Sequence, residues 1–333
     1  MINFGILGFG LHAVKRLMPG FASARNCRVS ALSRRDLAKA QASAHQFNIP
    51  LAFGSAEQLC KSPQVDAVFV TTPNACHLND VLLAIKHGKP VLCEKPMAIN
   101  ADECHKMVEA ARKAKVLLGV AHVFRFERST ARLRERLATN EIGKVTFARS
   151  EFSFPGGAGH PRAWLNDLSI AGGGPVADVG VHCVDALRYI LQDEVVSVTA
   201  RGHSDKISKT VEAAAALILE FSRGTLATVS VSFRATYRTP LEFVGEAGVL
   251  RADNGLTVER PIQMHLLRDG GMVDSETVLN TDAYTLQVDS FASAVEGKTE
   301  FPVPGEEGWK NQLILDAAFR SMKSGKTEAV LAH

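Results

Sequence analysis

The sequence predicts two domains: an α/β domain with a doubly wound parallel sheet, followed by an α+β domain with a large, mainly antiparallel sheet. Three observations lead to this prediction. The chain has 333 residues, and a single core rarely grows beyond about 250–300 residues before the chain divides. In the first part, short apolar runs alternate with segments of helical period, which is typical of βαβ units. In the second part, strand-like segments follow one another through tight turns, which favours antiparallel pairing.

The first domain is predicted to span residues 1–121. Its apolar runs predict five strands, which are Ile2–Leu7, Arg28–Leu32, Ala67–Thr71, Pro90–Cys93 and Val116–Val120. The segments between them have helical periodicity and predict helices around 12–24, 35–47, 77–87 and 101–114. The last helix is preceded by Asn100, a good capping residue, and has acidic residues in its first turn. This alternation predicts a Rossmann-like domain.

The second domain is predicted to span residues 122–333. Its predicted strands are Lys144–Phe154, Val195–Gly202, Ala213–Phe221, Thr225–Phe233, Pro240–Val244, Val249–Arg251, Leu256–Glu259 and Gln263–Leu267. Helical segments near 125–139, 178–191, 284–296 and 306–324 are expected to cover one face of the sheet that these strands form.

Composition and charge exclude several classes of protein. Hydrophobic residues make up 46% of the chain and charged residues 22%, which is a globular composition and excludes a disordered or collagen-like chain. A formal net charge of +3 gives no reason to expect nucleic acid or a membrane as a partner. The apolar runs are too short to span a bilayer and the N-terminus lacks the pattern of a signal peptide, so a cytoplasmic protein is expected. The six cysteines contain no C-x-x-C pair, so we predict neither a metal site nor a disulfide framework.

A glycine-rich element follows the first predicted strand and opens a helix. It consists of Gly8, Phe9, Gly10, Leu11 and His12, followed by Ala13. This is the G-x-G-x-x-G/A pattern, in which the first glycine permits a tight turn and the second lets the backbone approach a pyrophosphate. The start of the helix then offers N–H groups to the phosphates. The element alone is a weak signal, but its place between strand and helix predicts a dinucleotide site.

The end of the second strand indicates which dinucleotide is preferred. An NAD enzyme usually has Asp or Glu here for the ribose 2′-hydroxyl, whereas an NADP enzyme avoids that charge and supplies Arg. This chain has Ser33 and Arg34, with Arg35 and Lys39 as possible helpers, so we expect NADP(H) to be preferred and NAD(H) to be possible. In the alternative interpretation the arginines are a solvated helix start, and Asp36 is the nearby carboxylate that could serve NAD.

Two further loops follow the carboxyl ends of predicted strands, where open α/β sheets bind ligands. One contains Thr71, Thr72, Pro73, Asn74 and His77; the other is Glu94-Lys95-Pro96. A lysine in such a loop is a candidate functional residue. The alternative is that Lys95 is a surface residue whose aliphatic stem packs on the loop.

A glycine-rich segment in the second domain introduces another pair of candidates. Residues 172–174 are glycines, and Asp178 and His182 follow on one predicted helix face because they are four residues apart. Alternatively, Asp178 is an acid at a helix start and His182 a satisfied core histidine. A pair at this spacing could also ligate a metal, but no third and fourth ligand stand nearby in the sequence.

These motifs together resemble the Gfo/Idh/MocA family of NAD(P)-dependent oxidoreductases, named after glucose-fructose oxidoreductase and inositol dehydrogenase. The resemblance covers essentially the whole chain. It rests on the glycine loop, Thr72-Pro73-Asn74-x-x-His77, Glu94-Lys95-Pro96, and the glycine run with Asp178-x-Gly-x-His182. It implies a second domain whose open sheet face often mediates dimers or tetramers.

The resemblance also implies roles for individual residues. Lys95 is similar to the family lysine beside the reacting oxygen, His182 to the proton donor or acceptor, and Asp178 to the acid that supports this pair or binds substrate. The expected contacts with the cofactor near its nicotinamide and ribose are Thr71, Thr72, Pro73, Asn74, His77 and Glu94. Trp164 and Tyr284 are expected to be further pocket or cofactor residues. The chain departs from many relatives at Ala121-His122 and at Leu165, which follows the tryptophan.

A second polar cluster is a candidate for substrate binding. Arg125 follows the last strand of the first domain, and His160, Arg162 and Trp164 lie in a loop rich in glycine and proline that could form a lid. Arginine, histidine and an aromatic face suit a polyhydroxy substrate. Alternatively, Arg125 belongs to the solvated face of a charged helix.

The predicted function is hydride transfer between nicotinamide and a sugar, cyclitol or related polyhydroxy compound. Such a reaction needs a group that moves the matching proton at oxygen, and Lys95 and His182 are the candidates, with the route between them left open. One competing hypothesis is a nucleotide-sensing regulator, against which the presence of Lys95, Asp178 and His182 argues. Another is an NAD-dependent glycosidase with transient oxidation, which the Ser33-Arg34 end disfavours.

Overall fold

The computed structural model describes residues 1–156 and 161–331 of the chain. These residues form two compact units. The first contains Met1–Val123 and Tyr284–Trp309, and the second contains Phe124–Ala283 and the chain from Lys310 onward. The division expected from sequence had its boundary at residue 121, whereas the first unit extends to Val123 and also includes residues 284–309.

The first unit is built on a six-stranded parallel sheet with the order β3-β2-β1-β4-β5-β6. Its strands are β1 Ile2–Leu7, β2 Cys27–Ser33, β3 Leu51–Phe53, β4 Ala67–Val70, β5 Val91–Cys93 and β6 Leu118–Val120. Its first five helices are α1 Met18–Ala22, α2 Leu37–Phe47, α3 Ala56–Lys61, α4 His77–Lys86 and α5 Ala101–Ala114. This order is the doubly wound Rossmann topology, in which ligands bind where the winding reverses, between β1 and β4. The predicted fold class is confirmed here.

Helix α9, Ala283–Val295, explains why residues 284–309 join the first unit. Its Phe291 ring lies 5.9 Å from that of Phe4 in β1. Asp289 accepts hydrogen bonds from the backbone N–H groups of Arg25 at 3.0 Å and Asn26 at 3.2 Å. These contacts join residues more than 260 positions apart, so sequence periodicity alone could not assign the helix to a unit.

The second unit contains a nine-stranded sheet with the order β14-β13-β12-β11-β7-β10-β9-β8-β15. Pairing is antiparallel except between β7 and β10, which run parallel. The strands are β7 Val145–Ser153, β8 Val195–His203, β9 Ala214–Phe221, β10 Leu226–Ser232, β11 Leu241–Gly245, β12 Gly248–Ala252, β13 Pro261–Arg268, β14 Gly271–Leu279 and β15 Glu328–Ala329. The helices are α6 Arg128–Ala138, α7 Leu168–Ala171 and α8 Val181–Leu191, together with most of α10, Gly305–Ser324. A large, mainly antiparallel sheet was predicted and is confirmed.

One predicted strand is wrong, and some elements were not predicted. Residues 256–259 form turns, and Glu259 there has a φ of 57°. The hydroxyl groups of Thr257 and Thr239 are hydrogen-bonded to each other at 2.7 Å. Leu256 and Val258 alternate with polar residues as in a strand, but the fully buried Leu256 packs into the core from a turn. The sequence did not predict β3, β14, β15 or the short helices α3 and α7. None of the described helices is long and apolar enough to cross a membrane.

Candidate active site

The glycine loop after β1 is shaped by two glycines with different surroundings. Gly8 has a φ of 82°, and a Cβ there would lie 2.8 Å from the backbone of Thr72. Gly8 is therefore required for backbone conformation and packing. A Cβ on Gly10 would meet only the carbonyl oxygen of Gly8, at 3.6 Å. The space beside Gly10, at the start of the helical turns, fits the pyrophosphate of a dinucleotide.

The other residues of this loop have distinct positions. Phe9 is a core residue whose ring lies 5.6 Å from that of Phe47, and its predicted contact with the cofactor stays a prediction. Leu11 is exposed and His12 is half-buried. The helix that follows begins as a π-helix, Ala13–Leu17, rather than the regular helix that the sequence predicted.

The end of β2 carries the residues expected to select the dinucleotide. Ser33 is buried, and Nη1 of Arg34 donates a hydrogen bond to Ser43 Oγ at 3.0 Å. Asp36 caps helix α2, where its Oδ1 accepts from the backbone N–H of Lys39 at 3.1 Å. That hydrogen bond lowers the pKa of Asp36. The carboxylate that could have served an NAD ribose is thus engaged at a helix cap.

His77 joins the loops that follow β4 and β5. Its Nε2 lies 2.8 Å from the carbonyl oxygen of Thr72, and its Nδ1 lies 3.0 Å from that of Pro96. Burial lowers the pKa of His77 and outweighs the opposing effect of the two carbonyls. The His77 ring thus lies between the two loops and can donate its one N–H to either carbonyl, while its predicted contact with a cofactor stays a prediction.

The remaining residues of the loop after β4 border the glycine loop. Thr71 Oγ1 lies within hydrogen-bond distance of the carbonyl oxygens of Leu7 at 3.0 Å and Gly8 at 2.9 Å. Thr72 donates to Asp80 at 2.7 Å. Pro73 is half-buried and Asn74 is buried at the start of a 3-10 turn that leads into α4. These bonds keep the loop close to the glycine turn.

Glu94 links the lysine loop to the glycine loop. Its Oε1 lies 2.8 Å from Nε2 of His12, and its Oε2 accepts from the backbone N–H of Lys95 at 3.2 Å. Burial by itself would raise the pKa of Glu94, but His12 and Lys95 together outweigh it, and the pKa is lowered. On the other side of His12 lies Tyr284, at a ring distance of 6.1 Å. Lys95 is half-buried directly after this carboxylate.

In the second unit, Asp178 and His182 lie on consecutive helical turns. A π-helix, Val176–Gly180, carries Asp178 and runs directly into α8, which carries His182, and both side chains are buried. The guanidinium of Arg162 donates to both carboxylate oxygens of Asp178, at 3.2 and 3.3 Å. The sequence placed Arg162 in a candidate lid but did not anticipate this pair.

The glycines before this helix allow a close approach to Glu212. The Glu212 carboxylate accepts hydrogen bonds from the backbone N–H groups of Gly174 at 3.0 Å and Val176 at 2.9 Å. A Cβ on Gly174 would clash with the carbonyl oxygen of Glu212. Burial raises the pKa of Glu212 against the opposing effect of these N–H groups. Sequence reasoning missed Glu212, which lies 36 positions from Val176.

Two phenylalanines surround the imidazole of His182. The ring of Phe124 meets it edge-on at 4.9 Å and 88°, and the ring of Phe152 stacks on it at 5.9 Å and 26°. Phe152 lies near the end of β7, two residues after the buried Ser150, and so points to the same covered face of the sheet. The sequence offered no signal for either contact beyond the aromatic character of the residues.

The described residues of the predicted substrate cluster have different partners. Arg125 forms a buried ion pair with Asp185, and its role in binding substrate stays a prediction. Trp164 is half-buried in a short 3-10 turn. His160 lies outside the described residues. In residues 1–156 and 161–331, no three His, Cys, Asp or Glu side chains are grouped to hold a metal ion.

Comparison with known proteins identifies the family. A model described as an oxidoreductase family with an NAD-binding Rossmann fold matches residues 2–122. A second model, the GFO/IDH/MocA C-terminal domain, matches residues 130–251. The chain belongs to the Gfo/Idh/MocA family. It is therefore an oxidoreductase with an NAD(P)-binding Rossmann domain, as the sequence motifs predicted.

Relatives in the Gfo/Idh/MocA family match over nearly the full length. The chain is 34% identical to D-xylose 1-dehydrogenase (NADP(+)) 2 of Haloferax volcanii, with 97% of this chain and 98% of that protein covered. It is 31% identical to 1,5-anhydro-D-fructose reductase of Ensifer adhaerens, with 92% of each covered. Among solved structures, the aldose-aldose oxidoreductase of Caulobacter crescentus complexed with glycerol superposes with a TM-score of 0.90 at 25% identity, covering 98% of this chain and 99% of that chain.

Proposed function

We propose that this protein is an NADP(H)-preferring oxidoreductase of a sugar, cyclitol or related polyhydroxy compound. The substrate class is supported by relatives whose names specify D-xylose and 1,5-anhydro-D-fructose. The cofactor preference rests on the end of β2. There Arg34 is held by Ser43 while Asp36 is engaged as a helix cap. A guanidinium matches a phosphate group, and no carboxylate side chain projects from the end of this strand to favour a ribose hydroxyl.

The cofactor preference is tested by replacing Arg34. In Arg34→Gln we expect the Kd for NADPH to rise by about tenfold or more, because a charge-assisted contact with phosphate is lost, while the Kd for NADH changes little. Fluorescence of the reduced nicotinamide measures both. Lys15→Gln is the matched control, since it removes one exposed positive charge from the helical turns after the glycine loop. A native protein that binds NADH more tightly than NADPH would overturn the proposal.

The proposed chemistry assigns a role to each polar residue. A bound nicotinamide accepts or supplies a hydride at ring carbon C4. When an alcohol is oxidised, its carbon loses that hydride and its oxygen loses a proton, so a hydride with two electrons leaves for the dinucleotide and one proton leaves for a protein group. The ammonium of Lys95 would stabilise negative charge on the reacting oxygen, and His182 or Lys95 would take the proton. Asp178, oriented by Arg162, would bind a substrate hydroxyl and support the proton transfer.

Substitution of the two candidate acid/base groups tests this chemistry. We expect Lys95→Met and His182→Asn each to lower kcat/KM by about 10²- to 10⁴-fold, with dinucleotide affinity retained. Lys86→Met and His45→Asn are matched controls at helical positions that the proposal does not use, and they should retain activity. The pH dependence of kcat/KM in each variant identifies the group that moves the proton. Full activity in Lys95→Met, on a substrate found by screening aldoses, ketoses, inositols and diols, would contradict the mechanism.

We also propose that two copies associate through the open face of the second sheet. Phe147 in β7, Leu226 in β10 and Ile218 in β9 are exposed, whereas Ala148, Ala227 and Leu219, which follow them along the strands, are buried. Phe147 and Leu226 are register partners, and Ile218 is opposite Thr228 on the same face. Apolar side chains gathered on one exposed face mark an interface.

Light scattering of Ile218→Glu tests the association. We expect the molar mass of this variant to fall towards that of one chain, because a charge in an apolar interface is costly. Met272→Glu, on the edge strand β14, also places a charge at an exposed apolar position and should leave the mass unchanged. A native protein that is already monomeric at micromolar concentration would contradict the proposal.

A further inference from the structure

Arg125 and Asp185 form a buried ion pair in the second unit. Nε of Arg125 donates to Oδ1 at 3.0 Å and Oδ2 at 3.1 Å, and Nη2 donates to Oδ1 at 2.7 Å. The two side chains are 7% and 2% exposed. Asn311 donates to the same carboxylate at 2.8 Å, and the guanidinium lies 5.4 Å from the centre of the Tyr189 ring. The pair is thus held on several sides.

Each member of this pair is linked to His182, the candidate proton-transfer residue: Arg125 through the preceding Phe124, and Asp185 through the helix that it shares with His182. Phe124 precedes Arg125 and presses its ring edge-on against the imidazole of His182 at 4.9 Å. Asp185 lies three residues after His182, on the next turn of α8. The ion pair therefore fastens the segment that bears Phe124 to the helix that bears His182.

The contact with Phe124 restricts the imidazole on one side, and Phe152 stacks on its face. A ring packed in this way has few alternative rotamers, since neighbouring atoms block rotation about its χ angles. Loss of the Phe124 ring, or a shift of the segment that carries it, would allow the imidazole to turn. Proton transfer depends steeply on such geometry, because reacting groups must lie within hydrogen-bond reach.

We propose that Arg125 is a positioning residue for His182, acting through Phe124. The Arg125–Asp185 pair sets the place of the Phe124 ring, and that ring sets the orientation of the imidazole. The inference rests on the role given to His182 in the proposed function. It replaces the expectation that Arg125 touches substrate, and it adds Phe124 and Asp185 to the residues that govern turnover.

A substrate contact and a positioning role predict different kinetics. Lysine at position 125 keeps the charge but loses the fork that binds both carboxylate oxygens. If Arg125 positions His182, Arg125→Lys lowers kcat by about tenfold on every substrate with little change in KM, because a small displacement near the chemistry is costly. The solvent deuterium isotope effect on kcat should rise as proton transfer becomes rate-limiting. If Arg125 binds substrate, KM rises instead and the size of the effect varies among substrates, which would overturn the proposal.

A double-mutant cycle tests whether Arg125 acts through Phe124. Phe124→Leu should lower kcat to a similar extent, whereas Phe124→Tyr keeps a ring and should retain most of it. In the Phe124→Leu background, Arg125→Lys should have little further effect, because the ring through which it acts is already absent. Fully additive losses would contradict the proposed route.

Arg136→Lys is the matched control for disruption of a buried arginine. Arg136 is 4% exposed and binds both oxygens of Glu141, at 2.6 and 2.7 Å, but neither residue contacts His182 or Phe124 among the contacts described. Its lysine variant should lower the unfolding midpoint as Arg125→Lys does, yet leave kcat and the isotope effect unchanged. An equal loss of kcat in both variants would show a general loss of stability and would refute a positioning role.

A measurement independent of turnover separates this inference from the proposed function. NMR of protein labelled in the histidine rings, with His182→Asn used for assignment, reports the environment of the imidazole directly. We expect the His182 ring signals to shift or broaden in Arg125→Lys and Phe124→Leu, and to be unchanged in Arg136→Lys. Unchanged signals in the first two would contradict the packing argument. Full activity in His182→Asn would instead contradict the proposed function.

Discussion

Oε1 of Glu94 lies 2.8 Å from Nε2 of His12, and this contact connects the loop that contains Lys95 to the glycine-rich loop. The two residues lie 82 positions apart in the chain. Glu94 also accepts from the backbone of Lys95, so one carboxylate fixes both the loop expected to hold phosphates and the lysine expected to meet substrate. Two neighbouring loops of the Rossmann sheet are thereby held as one surface.

The pH dependence of stability should report this connection. Glu94 has a lowered pKa in the folded protein, so its stabilising effect is present above the pKa of the unfolded chain and is lost as pH falls through the folded value. In Glu94→Gln we expect lower stability at neutral pH and a shallower loss on acidification. Urea midpoints across this range measure both. Glu109→Gln, at an exposed position of α5, is the control; a midpoint curve in Glu94→Gln identical to that of the native protein would contradict the prediction.

The two glycines of the dinucleotide loop should respond differently to alanine. Gly8→Ala places a Cβ against Thr72 in a left-handed conformation, so we expect a loss of about 1–3 kcal/mol in unfolding free energy. Gly10→Ala has space for the Cβ and should change stability by less than about 0.5 kcal/mol. It should nevertheless weaken NADPH binding, because the methyl group lies where the backbone must approach phosphate. Urea unfolding and fluorescence titration check the two effects separately, and native NADPH affinity in Gly10→Ala would contradict the second.

Glu127 should make the second unit less stable as pH rises. Burial raises its pKa to about 8, with Glu259 and Asp282 adding repulsion. Because the folded state holds this proton more tightly than the unfolded state, the stabilisation is complete below the unfolded pKa and declines as pH rises towards about 8. Glu127→Gln should therefore resemble the native protein at pH about 5 and exceed its urea midpoint at pH about 8.5.

Glu135→Gln is the control for this measurement, since Glu135 is exposed on α6, the helix that Glu127 precedes. Its difference from the native protein should not change with pH. If the difference between Glu127→Gln and the native protein were also independent of pH, the carboxyl would not be titrating in the folded state as described.

Glu212 should stabilise the helical segment that carries Asp178 and His182. A glutamine there can accept one of the two backbone hydrogen bonds, but its amide NH₂ would face the other N–H group. We expect Glu212→Gln to lose about 1–3 kcal/mol of unfolding free energy and to lower kcat. Exposed Glu300→Gln should change stability by less than about 0.5 kcal/mol. If Glu212→Gln had the kcat of the native protein, the hydrogen bonds from Gly174 and Val176 to Glu212 would not be needed to position Asp178 and His182.

Much of the fold could be predicted because its signals are local. Strand β1 and helix α5 occupy the residues that apolar runs and capping signals indicated. Strand β14 could not be found in this way, because most of its side chains are exposed and show no alternation. The strand predicted at residues 256–259 was wrong for the opposite reason, since the buried Leu256 lies in a turn and not in a strand.

The site was predictable to the extent that motifs specify backbone shape. The glycine loop, Lys95, Asp178 and His182 were found from short patterns, and the family they indicated is confirmed by the models that match the chain. The catalytic roles and the cofactor preference stay predictions. The partners of these residues, such as Glu212 and Phe152, carry no pattern of their own, because any buried acid or phenylalanine looks the same in sequence.

The sequence by itself determined the order of βαβ units, the position of the dinucleotide loop and the family, since these depend on neighbouring residues and on the geometry that glycine allows. Only the tertiary structure decided what Arg125 binds. From sequence it belonged either to a substrate cluster or to a solvated helix, whereas in the fold it pairs with Asp185, 60 positions away. A buried guanidinium needs a carboxylate partner to offset its lost hydration, and which carboxylate is near is a property of packing.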